Sequence, residues 1–257
     1  MYHSFTDALI HTQAKTTLAQ HLWPETLQAE YSLQHCQGDG VLFTGELAPA
    51  DLLRIIPRLH TLTASMTRTL LRLVSEWGVS VRLTRHTHRY SHSGCVTFLA
   101  EGFPEETDLA EGRLLSALQC QYEIICHEVE TLGYRLIAGT IPEVVDEVLL
   151  CRCTENIALR VVAVYPEECG YCDADDGLEG DYIDLILRCG RRVLCLRYEV
   201  FCDGEKMAES WTTGTVIDPH GPVRKWLSRD EVRHVASEAR DAIEFRAAAF
   251  RSFIKAA

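Results

Sequence analysis

Two short motifs carry residue types that could do chemistry. Gln37-Gly38-Asp39-Gly40 sets a carboxylate between glycines, and the stretch from Arg85 to Gly94 contains His86, His88 and His92. An extended strand would project His86 and His88 to one face with Arg82 and Thr84, because strand side chains alternate with period two. Imidazoles together with Asp39 could ligate a divalent metal or serve as acid and base, the chemistry of a metal-dependent hydrolase or nuclease. A polar hairpin tip with incidental histidines is the plain alternative.

Cysteines make a second set. Cys151-Arg152-Cys153 and Cys169-Gly170-Tyr171-Cys172 space four thiols as C-x-C and C-x-x-C, a set that could surround a tetrahedral zinc. Zinc is therefore the candidate cofactor. Small buried thiols are the alternative, since Cys151 follows the apolar run Val148-Leu149-Leu150. The chain has 11 cysteines, an odd number, and Met1-Tyr2-His3-Ser4 lacks the basic-then-apolar layout of an export signal. Reduced thiols are expected rather than a disulfide framework.

The third set is acidic. Glu167, Glu168, Asp173, Asp175, Asp176, Glu179, Asp181 and Asp184 crowd into 18 residues with no Lys or Arg among them. Carboxylates at this density can imitate phosphate spacing and dock on a basic groove. A solvated surface loop is the plain reading. The whole chain carries a net charge of −12 and only four lysines, so direct nucleic-acid binding is not expected. No apolar run approaches the ~18 residues that span a bilayer, and a soluble, cytoplasmic protein with no membrane contact is expected. The signatures GxxxxGK(S/T), GxSxG and HExxH and the dinucleotide fingerprint are absent, which lowers the enzyme reading.

These sets must be positioned by two α+β domains. The length of 257 residues favours two cores, each an antiparallel sheet packed with helices. The first domain is expected over 1–140. It would comprise a helix over 5–22, strands at 27–34 and 40–46 around the Gly38-Asp39-Gly40 turn, and a broken helix over 51–77. Asp51 is its expected N-cap and Gly78 its stop. A hairpin over 79–99 and a helix from Asp108 ending at Gly133 follow. The second domain, 141–257, would hold a short helix at 143–152 and strands at 157–165, 183–188, 192–202 and 207–217, with Asp203-Gly204 as a hairpin turn. Ser228-Arg229-Asp230-Glu231 reads as a capping box opening a helix to about Lys255, long enough to pack across the meander. No internal repeat is evident, because the halves share no spacing.

The succession of an N-terminal helix, "QGDG" followed by Val41-Leu42-Phe43-Thr44-Gly45, the segment Tyr90-Ser91-His92 and a helix ending "GYRLI" resembles a family of uncharacterised phage and plasmid proteins. That family is marked by a QGDG turn and a later Tyr-x-His, and some members are loosely labelled antitoxin. The likeness covers roughly residues 5–138, with "HCQGDGVLFTG" its most specific part. It implies a mobile-element setting and no reaction; Gln37, Gly38, Asp39, Gly40, Tyr90 and His92 are the matching positions. Gln37, Asp39, Tyr90 and His92 are the candidate pocket. Acidity and setting together lead to an acidic binding protein that occludes the basic surface of a host protein or ribonucleoprotein, of anti-CRISPR or anti-restriction type. A metal-dependent hydrolase using Asp39 with His86, His88 and His92, and an antitoxin-like regulator, are the alternatives.

Overall fold

A computed structural model describes residues 5–166 and 179–256, and its elements form an α+β protein with two four-stranded antiparallel sheets. The chain divides into a unit over Ile10–Tyr134 and a unit made of Arg135–Ala257 with the first nine residues. The division thus falls inside a helix rather than at the Gly139–Pro142 break suggested by the sequence. Among the described residues no helix is long and apolar enough to cross a membrane.

In the unit Ile10–Tyr134, helix α1 (Phe5–Gln20) ends just before Leu22, whose φ of 64° no helix accepts. Strands β1 (Gln28–Ser32) and β2 (Gly40–Leu47) pair antiparallel, with Ser32 opposite Gly40. Helix α2 (Pro49–Ile55) begins on its proline, whose missing N–H is unneeded there. Asp51 is not its N-cap: it sits inside the first turn and accepts the Ala48 amide at 3.1 Å. After a 3-10 turn at Ile56–Arg58, Thr63 caps α3 (Ala64–Trp77) by accepting the Met66 amide at 3.3 Å. Gly78 closes that helix in the left-handed region, φ 66°.

Strand β3 (Ser80–Arg85) buries Val81 and Leu83 and exposes Arg82, the alternation its sequence shows, and pairs with β4 (Val96–Glu101). Helix α4 (Asp108–Thr140) buries Leu114, Leu118, Tyr122, Ile125 and Val129, each of which contributes ~1.5–3 kcal/mol by leaving water. It does not stop at Gly133. A Cβ at Gly133 would stand 2.6 Å from Leu33 Cδ1, so this glycine admits a neighbouring side chain and does not end the helix.

The second unit holds β5 (Glu147–Cys153), β6 (Ile157–Val164), α5 (Glu179–Leu187), β7 (Arg192–Cys202), β8 (Glu205–Ile217) and α6 (Arg229–Ala256). Phe5 lies edge-on to Tyr182, with ring centroids 5.4 Å apart, and Thr6 Oγ1 meets Thr140 Oγ1 at 2.8 Å, which ties the first residues to this unit. Two expectations are reversed. The helix expected at 143–152 is strand β5, because pairing with β6 overrides a helix-like spacing of apolar residues. The strand expected at 183–188 is part of α5, since Ile183 and Ile186, one helical turn apart, are buried together. Gly139 makes room for Ile186: a Cβ there would lie 2.5 Å from Ile186 Cγ2.

Asp203 and Gly204, at φ 50° and 82°, form the tight turn between β7 and β8. Ser228 Oγ accepts the Glu231 amide at 3.2 Å and caps α6. The Glu231 carboxylate accepts from Ser210 Oγ on β8 at 2.7 Å rather than closing the capping box. Val235 and Ala239 are buried, whereas Phe245 and Phe250 are 76% and 65% exposed, so among the described side chains of α6 those buried on the sheet lie in its first half.

Both sheets run β1-β2-β3-β4 and β5-β6-β7-β8 in sequential order, with a helical connection between the second and third strands and a helix after the fourth. The units therefore share a topology that the sequence hides. Their hairpin connections differ in length, 33–39 against 154–156 and 86–95 against 203–204, so no fixed period survives. An antiparallel meander places its first and third connections at the same end of the sheet. In the first unit those connections are the Gln37–Gly40 segment and the histidine-rich hairpin.

Candidate functional site

Asp39 is the hub of the β1–β2 connection. Its carboxylate accepts from Ser32 Oγ at 2.7 Å, the Gln34 amide at 2.6 Å, the Cys36 amide at 2.9 Å, Cys36 Sγ at 3.0 Å and Tyr134 Oη at 3.2 Å. Desolvation works against ionisation here. The hydrogen bonds from Cys36, Ser32 and Gln34 outweigh it and hold the carboxyl well below the usual carboxylate range. The same contact with Asp39 raises the Cys36 thiol, and desolvation together with Asp39 raises the Tyr134 phenol. Tyr134 also stacks on His35, with ring centroids 4.3 Å apart and planes 19° from parallel.

The β3–β4 connection lies directly on this loop. Gly38 has φ 89°, and a Cβ on it would stand 2.0 Å from Tyr90 Cδ1; a Cβ on Gly40 would stand 2.9 Å from that of His92. The Ser91 amide donates to the Gly38 carbonyl at 3.1 Å. Tyr90 and His92 stack with centroids 6.0 Å apart. The two glycines are thus the floor on which Tyr90 and His92 rest, which is a packing reason for these residue types to occur together. Arg85 fastens the hairpin from inside: Nε donates to the Thr87 carbonyl at 2.6 Å, Nη2 donates to the Tyr90 carbonyl at 2.9 Å, and Nη1 pairs with Glu30.

Of the four candidate pocket residues, Asp39, Tyr90 and His92 gather at this junction, while Gln37 is exposed on the connection. Asp39 and His92 turn polar atoms back onto their own loops. His92 Nδ1 accepts the Gly94 amide at 3.1 Å, which leaves Nε2 as the protonated nitrogen of the neutral ring. His86 and His88 do not share a strand face, because β3 stops at Arg85. His86 Nδ1 meets Thr97 Oγ1 at 3.3 Å, and His88 is exposed. Among the described residues no three His, Cys, Asp or Glu side chains are grouped to hold a metal ion. Asp39, with its lone pairs engaged by five donors, is built as a clasp that closes its own loop and ties it to α4.

In the other unit, Cys151 and Cys153 lie two residues apart on β5, both exposed, with sulfurs 3.6 Å apart. Cys151 beside it raises the Cys153 thiol. They border a groove of about 570 Å3 between the hairpin ends at Thr154–Asn156 and Asp203–Gly204. Two thiols are half of a tetrahedral zinc set. Cys169 and Cys172, the other half, lie outside the described residues, as do Glu167, Glu168, Asp173, Asp175 and Asp176. The remaining acidic residues, Glu179, Asp181 and Asp184, belong to α5. Asp181 and Asp184 are exposed on the side away from buried Ile183 and Ile186, and Asp184 pairs with Arg188 at 3.2 Å.

Sequence reasoning missed Ser32, Arg85, Glu30 and Tyr134 at the junction. Arg85 carried a signal, as a cation on the last residue of an alternating strand; Tyr134 carried none, lying 95 residues from the Asp39 it contacts. The chain matches no family model, no curated protein and no solved structure.

Proposed function

We propose that this chain is a binding protein that recognises its target through charge, and that the target is the basic nucleic-acid-binding surface of a host defence complex of CRISPR-effector or restriction type. The observation that carries the reading is a net charge of −12 with eight carboxylates and no cation between residues 167 and 184. Helix α5 supports it by turning Asp181 and Asp184 to solvent while Ile183 and Ile186 anchor the opposite side. The likeness of residues 5–138 to phage and plasmid proteins supplies the setting of a mobile element. Asp39, the strongest candidate for chemistry, is engaged in closing its own loop and tying it to α4.

The test is complex formation between the purified protein and nucleic-acid-free CRISPR effectors or restriction nucleases. A complex should form at low ionic strength, weaken as salt screens the charges and compete with DNA for the enzyme. Asp181→Lys combined with Asp184→Lys should weaken it by about tenfold or more. Failure to bind either class of enzyme at low salt overturns the proposal.

A further inference from the structure

We propose that the unit Ile10–Tyr134 carries a binding site for a small N-acylated apolar amino acid, the chemistry of a carboxylate, an adjacent amide N–H and a short apolar side chain. The site lies where the end of α1, the residues around the 3-10 turn and the middle of α4 meet. Two adjoining cavities of about 230 and 260 Å3 share His21, Arg58, His60 and Gln121. Together they reach the lower end of the ~300–1,000 Å3 range of small-molecule sites.

The lining is unlike the rest of the chain. In a protein of net charge −12, neither cavity is lined by an Asp or Glu among the described residues, and the charged side chain facing both is Arg58. Arg58 makes no hydrogen bond or ion pair with the described residues, so its guanidinium is available for a bidentate carboxylate contact, with the His60 imidazole beside it. Leu59, Ala117 and Ile124 supply an apolar wall in the cavity of about 230 Å3.

Gln121 specifies the third group. His21 Nε2 meets Glu128 Oε2 at 2.9 Å, and since a carboxylate accepts, Nε2 carries the proton. Nδ1 is then left to accept from Gln121 Nε2 at 3.5 Å. This orients the amide and leaves Gln121 Oε1 buried with no partner. A buried acceptor without a donor is costly, and a ligand N–H beside a carboxylate bound at Arg58 would satisfy it once the Gln121 side chain, which lines both cavities, turns its Oε1 toward the ligand. The inference is independent of the acidic-surface reading, which concerns the other unit.

Titration calorimetry of the full chain with N-acetyl-L-leucine, its primary amide and 4-methylpentanoate tests each contact. N-acetyl-L-leucine should bind, and both the amide, which lacks the carboxylate, and 4-methylpentanoate, which lacks the N–H, should bind about tenfold more weakly. Arg58→Gln should abolish the preference for acid over amide. Gln121→Leu should abolish the preference for N-acetyl-L-leucine over 4-methylpentanoate. Arg58 is exposed, so an unchanged melting temperature for Arg58→Gln separates lost binding from lost fold. An acetylated tripeptide ending in leucine that binds as well assigns the site to a protein C-terminus; its exclusion assigns the site to the free acid. No heat with millimolar N-acetyl-L-leucine, or equal binding of acid and amide, overturns the proposal.

Discussion

The phenol of Tyr122 does for Phe43 what a neighbouring strand would do: Oη accepts the Phe43 amide at 2.8 Å and donates to the Phe43 carbonyl at 3.0 Å. Phe43 stands opposite Ala29 of β1, but β2 pairs with β3 only over Gly45–Leu47, so the N–H and C=O that Phe43 directs to that edge would otherwise be buried unpaired. Burial pushes the Tyr122 hydroxyl far above its ordinary range, which keeps it a donor at every physiological pH. Phe98 and Phe43 meet its ring edge-on at 5.2 and 6.4 Å. Tyr122→Phe keeps the ring and removes both bonds. It should cost about 2–4 kcal/mol, the range for leaving two backbone groups unsatisfied, and lower the urea midpoint with no change in slope. A cost under about 0.5 kcal/mol would mean that water replaces the phenol.

Gly38 and Tyr90 should be energetically coupled. Gly38→Ala must place a methyl in the Tyr90 ring at a φ of 89°, where a Cβ alone costs about 1–2 kcal/mol. Tyr90→Ala relieves the clash but not the backbone strain. The double variant should therefore be less destabilised than the sum of the singles by about 1 kcal/mol or more. Strict additivity would show that Tyr90 and Gly38 do not touch in solution.

Asp39 should make stability fall in acid. Its folded carboxyl lies below the unfolded value of ~3.9, so its contribution is fully present above that value and is lost as pH falls through the folded pKa. Between about pH 5 and pH 2 the unfolded chain binds a proton at this residue that the folded chain does not. Asp39→Asn should be less stable at pH 7, and its stability should fall less steeply over that window, by up to about one proton in slope. Chemical denaturation at several pH values measures this directly. Parallel curves for the two proteins would remove Asp39 from the account of acid stability.

What the sequence made legible is local. Val79, Val81 and Leu83 alternate with polar residues, and Gly78 and Asp203-Gly204 mark a helix end and a turn by backbone angles that other residues resist. Gly133 looked like the same kind of stop, but its reason is the Leu33 side chain a hundred residues earlier, which no local pattern encodes. Residues 183–188 are too short an apolar run to decide between strand and helix; the burial of Ile183 with Ile186 decides it. The junction was half visible. Its two motifs stood out, but their contact follows from strand order, and Tyr134 and Arg85 join it only through the tertiary fold.

Cys151 and Cys153 should react as a pair. Their sulfurs are 3.6 Å apart on an exposed strand face, close enough for one arsenic atom to bridge. Phenylarsine oxide condenses with two thiols, losing its oxygen and their two protons as water, so it should protect two thiols of the folded protein from a disulfide reagent. Cys153→Ser should abolish that protection and leave Cys151 reacting singly. Protection that persists in Cys153→Ser would place the bridged pair elsewhere.

Helix α6 should tolerate truncation better than its length suggests. Among its described side chains Val235 and Ala239 are the buried ones, and they pack with Leu194, Leu196 and Tyr198 of β7. Val235→Ala should cost about 1–3 kcal/mol through lost burial and the space left behind. Farther along, Phe245 and Phe250 are exposed, and Arg246 pairs with Glu205 at 2.6 Å across side chains that are both at least half exposed. Such a pair contributes at most about 1 kcal/mol, and less in salt. Removing residues 245–257 should therefore leave the thermal midpoint within a few degrees of the full chain, as about 1 kcal/mol implies for a protein of this size. A collapse in stability on truncation would show that the exposed aromatic residues are covered in solution, by a second copy or by a contact of this chain with itself, and sedimentation of the two proteins side by side would distinguish those cases.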